Sequence, residues 1–237
     1  MTYQNELGQP IGFPVPEWTA CPRPPREAIT GRFCRIEPIS IERHAADLHA
    51  ANQEDIENRM WTYLPYGPFQ TLTDYTGWMQ RVCLGDDPLF YAIIDLSSGK
   101  AVGVASYLRI DPANGVIEVG HINFSPGLQR TPIATEAMFL LMKGVFELGY
   151  RRYEWKCDAL NAKSRSAAKR LGFSYEGIFR QALIYKGRNR DTAWYAMIDA
   201  EWPERRAAYE AWLAPENFSE SGQQLTRLST LTASILK

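Results

Sequence analysis

Metal ligands and cysteines are scarce in this sequence. It has three histidines and four cysteines in 237 residues, and no cysteine has another close to it in the chain. Disulfide frameworks and zinc clusters need paired or regularly spaced ligands, so neither is indicated. We therefore expect no metal cofactor, and we expect reduced thiols at Cys21, Cys34, Cys83 and Cys157.

An excess of charge of one sign is also missing. The 26 Lys and Arg residues and the 27 Asp and Glu residues leave a formal net charge of −1. This balance argues against an extended basic surface for nucleic acid or an anionic membrane. The chain also lacks the apolar run of roughly 20 residues that a membrane span needs, and its first residues, MTYQNELGQP, do not resemble a secretory leader. We expect a cytoplasmic protein that binds neither nucleic acid nor membrane.

The apolar fraction of 45% is sufficient for one globular domain, which we assign to residues 29–213. Residues 1–28 contain six prolines and are expected to form an extended arm rather than a helix. The apolar side chains of Phe13 and Trp18 predict that this arm packs on the domain; packing on the second subunit of a homodimer is the alternative. The polar residues 214–237 are expected to form a tail on the surface.

Periodicity predicts an α+β fold. Strands are predicted at 31–39, 89–96, 101–110, 115–124, 152–158, 173–181 and 191–198, and helices at 41–52, 73–84, 132–148, 162–171 and 201–213. Short turns make most neighbouring strands antiparallel. The passage from strand 115–124 through a helix to strand 152–158 is a right-handed crossover, so these two strands should be parallel neighbours. The prediction is a mixed, mostly antiparallel sheet with one parallel pair and helices on both faces.

The stretch 125–149 connects that parallel pair. A tight loop leads from the strand to a helix that Thr131 caps, that has Pro132 at its first position and that Gly149 ends. The start of a helix presents free N–H groups and the positive end of a dipole. Such a start suits a phosphate group.

Two later segments, NAKSRSAAKRLGF and SYEGIFR, have the order and spacing of a known family. Together with the strand, loop, helix and strand before them, they resemble the GNAT superfamily of acetyl-CoA-dependent N-acetyltransferases. Within it, the chain is similar to the RimJ/RimL-like subgroup, named for acetylation of ribosomal-protein N-termini. The resemblance covers residues 32–198. Its most specific part comprises Asn161, Ser164, Arg170, Leu171, Gly172, Phe173, Glu176 and Gly177.

The resemblance implies acetyl-CoA as the acetyl donor and an amine as the acceptor: a peptide N-terminus, a free amino acid or a small amine. In the family, amides of the loop after the fourth strand wrap the pyrophosphate of the coenzyme. Gln129 and Ala134 match the ends of that loop pattern, whereas Pro132 replaces its first glycine and removes one N–H donor. The groups expected to hold the pyrophosphate instead are the amides of Ile133 and Ala134 and the side chains of Arg130, Thr131 and Thr135.

Splaying of the parallel strand pair admits the pantetheine arm of the coenzyme in this family. The contacts implied for the arm are the backbone of Ile122, Asn123 and Phe124 and the side chain of Asn161. Asn161 also suits the start of a helix. Basic residues Arg165, Lys169 and Arg170 follow on that helix, and a solvated face accounts for at least two of them.

Two residues are candidates for the chemistry. Ser164 shares the inward face of its helix with Ala168 and Leu171, and it matches the subgroup position whose hydroxyl meets the coenzyme sulfur, where it can protonate the departing thiolate. Glu118 lies among apolar residues in a strand. It either draws a proton from the amine through a water molecule or pairs with Arg109.

Other functions compete with this interpretation. A GNAT-shaped binding module without turnover is the first, and Pro132 is the feature that favours it. A nucleotide-binding enzyme is the second, but the G-x-x-x-x-G-K loop is absent. His121 is expected on the opposite face of its strand from Glu118, in a structural role. The aromatic loop 61–69 either walls a pocket or simply packs over the core.

Overall fold

Alternating apolar side chains build a sheet of eight strands in the computed structural model, which describes residues 2–233. A small separate hairpin precedes this sheet. The strands are β1 (Tyr3–Gln4) and β2 (Pro10–Ile11) of the hairpin, then β3 (Ile29–Thr30), β4 (Cys34–Pro38), β5 (Leu89–Asp95), β6 (Ala101–Asp111), β7 (Val116–Phe124), β8 (Arg152–Asp158), β9 (Ser174–Tyr185) and β10 (Arg188–Ile198). The order in the large sheet is β3-β4-β5-β6-β7-β8-β10-β9, and of the described strand pairs only β7 and β8 run parallel. The predicted α+β fold is confirmed.

Helices lie on both faces of the sheet, as predicted. They are α1 (Ile41–Asn52), α2 (Leu72–Val82), α3 (Pro132–Glu147), α4 (Ala162–Arg170), α5 (Trp202–Leu213) and α6 (Leu228–Thr232). The start of α2 differs from the prediction, because Thr71 caps it rather than Thr73 or Asp74. The Thr71 hydroxyl accepts the N–H of Asp74 at 3.1 Å, so Asp74 belongs to the first helical turn.

Two hydrophobic cores hold these layers together. One core joins α1 and α2 to one face of β5 and β6, with Leu48, Trp78 and Phe90 at its centre. The other joins α3 and α5 to the opposite face, with Leu141 and Tyr209 fully buried. Because α1 and α2 cover only the half of the sheet near β4, they leave the same face of β7 to β10 without a helix among the described residues. That uncovered face is called the acceptor face below.

A β-bulge changes the direction of side chains in the second half of β7. Between the pairs Ser106 with Gly120 and Val104 with Asn123, β7 holds one residue more than β6, and His121 adopts φ +50°. The ring of His121 consequently lies on the same face as Glu118, next to Phe90 at 4.9 Å between ring centroids. The predicted opposite placement of His121 is therefore wrong, because simple alternation does not hold across the bulge.

The N-terminal arm packs on the domain through its second half. The indole N–H of Trp18 donates to the carbonyl of Ala113 at 2.7 Å, and Cys21 is buried. Phe13, which was also expected to anchor the arm, is 64% exposed, and the guanidinium of Arg151 lies over its ring at 5.8 Å from the centroid. A homodimer stays a prediction.

The tail after α5 is not confined to the surface, contrary to expectation. Leu228 is only 2% exposed, because α6 packs against α4 and α5. The hydroxyl of Thr232 donates to the carbonyl of Arg170 at 3.1 Å. Apolar residues spaced within a polar segment therefore anchor it beside α4. Residues 234–237 of the predicted tail lie outside the described residues.

Candidate coenzyme and acceptor site

The parallel strand pair opens into a gap. Pairing between β7 and β8 ends at Val119 and Trp155, although both strands continue beyond these residues. The backbone of residues 122–124 therefore has β6 on one side and no strand partner on the other. The side-chain nitrogen of Asn123 is also buried, and it has no hydrogen-bond partner among residues 2–233. Buried polar groups need partners, so the open edge and this amide fit an extended ligand that carries amide groups, such as the pantetheine arm.

The N-terminus of α3 borders this gap and is capped as predicted. The Thr131 hydroxyl accepts the N–H of Ala134 at 3.2 Å and donates its own proton to the carbonyl of Leu128 at 2.7 Å. The Thr131 hydroxyl and the Ala134 N–H were both expected to be open to a phosphate, but each forms a hydrogen bond within the protein. The N–H of Ile133, in the first turn of the helix, is the donor that helix geometry leaves open next to Pro132.

The polar groups of the loop before α3 point in different directions. The side-chain amide of Gln129 donates to the carbonyl of Phe124 at 2.9 Å, so it closes the loop. Arg130 is exposed and holds φ +64°, a left-handed conformation. Its side chain projects from the loop and has no ion-pair partner among the described residues. Arg130 thus remains available to an anion.

Arg170 lies beside the same helix start. Its Nη1 donates to the hydroxyl of Thr135 at 3.2 Å, and Thr135 is 3% exposed. Burial lowers the pKa of Arg170, and no carboxylate within residues 2–233 forms an ion pair with it. A partly buried guanidinium next to the positive end of a helix is unfavourable without an anion. This arrangement therefore suits a phosphate of the coenzyme.

The other two basic residues of α4 have different surroundings. Arg165 donates to the hydroxyl of Tyr195 and to the carbonyl of Ala159, both at 3.2 Å. Lys169 is exposed. The expectation that a solvated face accounts for at least two of the three cations holds for Lys169 alone, because Arg165 is half-buried against Tyr195 and Arg170 is half-buried beside Thr135.

Asn161 and Ser164 lie where α4 meets the split strands. The Asn161 side chain accepts the N–H of Ser164 at 3.1 Å, which gives it the expected capping role. The Ser164 hydroxyl accepts from the indole N–H of Trp155 at 3.0 Å, and Trp155 is the last residue of β8 that pairs with β7. Because this hydroxyl accepts from the indole, its own proton points away from Trp155, and the sulfur of Cys157 lies within its hydrogen-bond reach.

Glu118 is held by two cations on the acceptor face. Arg109 binds both carboxylate oxygens at 2.7 Å, and the Lys156 ammonium lies 2.9 Å from one of them. Glu154, directly opposite Glu118 in the parallel ladder, accepts from the same ammonium at 2.7 Å. Two neighbouring carboxylates would repel each other, and Lys156 offsets this repulsion.

Sequence reasoning missed Lys156. Its ammonium also lies 3.7 Å from the ring centroid of Trp194 on β10, and its side chain is only 8% exposed. The signal was available, because Lys156 and Glu118 belong to adjacent parallel strands and alternate onto one face. The predicted pairing of Glu118 with Arg109 is present in the structure.

The aromatic loop 61–69 forms a roof over the gap. It is tied to β7 by Tyr66, whose hydroxyl is 3.2 Å from Nδ1 of His121. It reaches the β8–α4 connection through Tyr63, which donates to the carbonyl of Leu160 at 3.2 Å. Lys186, at the tip of the β9–β10 hairpin, donates to the carbonyl of Trp61 at 2.7 Å.

His121 is neutral at physiological pH. Burial lowers its pKa to about 4, and the positive charge of Arg109 acts in the same direction. Its ring stacks on Tyr66 with 5.7 Å between centroids. A neutral, stacked imidazole that fixes the roof agrees with a structural role.

The described part of the chain has neither a cluster of metal ligands nor a membrane-spanning helix. Within residues 2–233, no group of three or more His, Cys, Asp and Glu side chains converges as a metal site would require. No helix in the same residues is long and apolar enough to cross a membrane.

Comparison with known proteins identifies the class of protein to which this architecture belongs. Residues 34–174 match the family model described as Acetyltransferase (GNAT) domain. A Bacillus subtilis (strain 168) protein named "Putative ribosomal N-acetyltransferase YdaF" is 30% identical over 183 residues, which are 74% of this chain and 94% of that protein. The ribosomal-protein-serine acetyltransferase of Escherichia coli K12 is 33% identical over 100 residues, 42% of this chain and 55% of that protein.

A solved structure supports the same family. A GCN5-related N-acetyltransferase from Brucella melitensis is 48% identical, has a TM-score of 0.90 and covers 92% of this chain and 100% of its own. The chain therefore belongs to the GNAT acetyltransferase family. It is an acetyl-CoA-dependent N-acetyltransferase, and the resemblance seen in the sequence is confirmed.

Proposed function

We propose that this chain transfers the acetyl group of acetyl-CoA to the N-terminal amine of a peptide by direct attack. The observation that carries the proposal is the fork of β7 and β8, with the open edge of residues 122–124 on one side and Ser164 on the other. A peptide is the first candidate because two relatives carry names that refer to ribosomal acetylation. A free amino acid and a small amine are the alternatives.

Several groups are suited to hold the coenzyme. Residues 122–124 offer backbone donors and acceptors to the pantetheine arm, beside Asn161. The N–H of Ile133 and the guanidinium groups of Arg130 and Arg170 offer positive charge to the phosphates. Acetyl-CoA supplies the thioester whose carbonyl carbon the amine attacks.

The protons in this reaction can be followed from the side chains. As the new C–N bond forms and the C–S bond breaks, the amine nitrogen releases one proton to solvent water and the sulfur gains one. We assign the proton donated to the sulfur to Ser164, whose hydroxyl accepts from the indole of Trp155 and regains a proton from solvent water. Glu118, bound by Arg109 and Lys156, is assigned to holding the acceptor face in shape rather than to removing the proton of the amine.

Direct attack of the amine, without a cysteine intermediate, also agrees with the raised pKa of the Cys157 thiol. Burial raises the pKa of Cys157, which lies on β8 beyond the fork. A thiol with a raised pKa is a poor nucleophile at neutral pH. An acetylated cysteine intermediate is therefore not part of the proposal.

The experiment is a thiol-release assay with acetyl-CoA and three acceptors: Ser-Gly-Gly amide, L-serine amide and ethanolamine. We expect release of free coenzyme thiol with a preference for the peptide. Calorimetry of CoA binding to the same preparation separates the competing binding module, which Pro132 favours, from the enzyme. CoA binding without thiol release for any of the three amines would support the binding module and overturn the proposal.

A further inference from the structure

Asp158, the last residue of β8, is a buried carboxylate with an incomplete set of partners. It is 5% exposed. One oxygen accepts from the hydroxyl of Tyr185 and the other from the N–H of Leu160, each at 2.8 Å. A carboxylate has about four lone-pair positions, so about two remain for a further donor.

No cation balances this carboxylate at ion-pair distance among residues 2–233. Arg190 lies over the ring of Tyr185, 5.7 Å from the ring centroid, and it donates to the hydroxyl of Thr192. The buried carboxylates of Glu118 and Glu154, on the same face, each have two cations. A buried charge is costly unless it is paired, so Asp158 lacks what its neighbours have.

The place of Asp158 in the fold suggests where the missing cation comes from. The pairing of β8 with β10 is regular from Arg152 to Asp158, so Asp158 lies on the same face as Lys156. This is the acceptor face, opposite the side from which Ser164 contacts Trp155. The carboxylate also lies beyond the fork and next to Leu160, to which the roof is attached.

The hydroxyl of Tyr185 fixes the orientation of the Asp158 carboxylate by donating a hydrogen bond to it. Burial and the neighbouring Asp158 raise the pKa of Tyr185 to about 12, so its hydroxyl stays protonated and donates at neutral pH. The tip of the hairpin that carries Tyr185 is tied to the roof by Lys186. The Asp158 carboxylate is thus held by Tyr185 of β9 and by the connection from β8 to α4.

We infer that Asp158, oriented by Tyr185 and the N–H of Leu160, binds the protonated amino group of the acceptor under the roof formed by loop 61–69. The inference rests on the proposed function, and it adds that the acceptor amine binds in its protonated, positively charged form. An aliphatic ammonium has three donors and one positive charge, which match the free lone pairs and the missing cation. Asp158 fixes the position of the nitrogen; the ammonium loses one proton before the nitrogen attacks, and that removal is a separate step.

The test measures binding to the enzyme saturated with CoA, where no chemistry occurs. The probes are Ser-Gly-Gly amide, L-serine amide and ethanolamine, each compared by calorimetry with an analogue in which a hydroxyl replaces the amine. We expect the wild type to bind at least one amine about 10-fold or more tightly than its neutral analogue, since a charged hydrogen-bonded pair is removed. If the wild type does not discriminate for any of the three, the inference is wrong.

Asp158→Asn keeps the shape and the hydrogen bond from Leu160 but removes the charge. We expect it to abolish the discrimination and to leave the affinity for CoA unchanged, whereas Asp199→Asn, at an exposed carboxylate, should behave as the wild type. Retained discrimination in Asp158→Asn would overturn the inference. Should that variant fail to fold, Tyr185→Phe is expected to reduce the discrimination about threefold, and no reduction would also overturn it. Loss of CoA binding or of thiol release in the wild type would instead count against the proposed function.

Discussion

Arg170 of α4 donates to the hydroxyl of Thr135 in the first turn of α3, across 3.2 Å, and so joins a guanidinium to the positive end of a helix. The guanidinium of Arg170 and the positive end of α3 lie together, and no carboxylate among the described residues forms an ion pair with Arg170. The contact fits the proposed coenzyme site, because an anion between α3 and α4 would relieve both charges.

Replacing Arg170 by Gln should weaken the binding of CoA. A charge-assisted contact to a phosphate contributes on the order of 1–2 kcal/mol, so the Kd measured by calorimetry should rise about 10-fold. Lys169→Gln is the matched control, because Lys169 is the exposed neighbour and should leave the Kd within about twofold. Equal losses in the two variants would mean that only general surface charge matters.

Replacing Glu118 by Gln should lower stability and reduce kcat by the same factor at every pH. The change removes the charge that pairs with Arg109, 58% exposed, and with Lys156, 8% exposed, and since only one of these cations is buried we expect a loss of about 2 kcal/mol of the free energy of unfolding. Urea unfolding and a pH profile of kcat measure the two effects. Glu176→Gln, at the exposed pair with Arg152, should cost about 1 kcal/mol or less. A kcat that falls mainly at low pH, where the amine is protonated, would instead make Glu118 the base.

Replacing Ser164 by Ala should reduce kcat roughly 10-fold or more with little change in the affinity for CoA, since the hydroxyl matters as negative charge develops on the sulfur. The indole of Trp155 also loses its acceptor, which should cost about 1 kcal/mol of stability. Single-turnover rates and CoA calorimetry separate these effects. Ser166→Ala, at the exposed serine two residues later, should match the wild type in all of them. An unchanged single-turnover rate would remove Ser164 from the chemistry.

His121 should make the protein less stable as the pH falls. Its pKa is about 4 in the folded chain and 6.5 as the ordinary value, so between these pH values the unfolded chain binds more protons. The contribution of His121 to stability is therefore complete above pH 6.5 and is lost on acidification, by about 2 kcal/mol at a pH near 5. His121→Asn, which suits φ +50°, should remove that component. Urea unfolding at neutral pH and at pH 5 measures it; an equal loss in both proteins would contradict the assignment.

The local and periodic features of the fold were predictable from the sequence. The cap at Thr131, the helix that begins at Pro132 and the parallel return of β8 follow from residue types whose preferences act over a few neighbours. α1 and β8 begin and end at the predicted residues. The pairing of Glu118 with Arg109 was one of two expected alternatives.

The features that depend on tertiary contacts were not predictable in the same way. Nothing in the pattern of β7 signals the bulge at His121, because its left-handed backbone is stabilised by packing on Tyr66 and Phe90. The burial of Leu228 within a polar segment likewise depends on the packing of α6 against α4 and α5, which sequence spacing does not contain.

The packing of α6 has a consequence for how the protein matures during synthesis. Residues 228–232 are translated after every strand of the sheet, and they cover α4 beside Arg170. A nascent chain can therefore form its sheet before the flank of α4 is closed. A premature stop codon shortly after Leu213 would yield a chain with all its strands but an uncovered α4, so its defect in the cell should be faster degradation and weaker coenzyme retention rather than loss of the sheet.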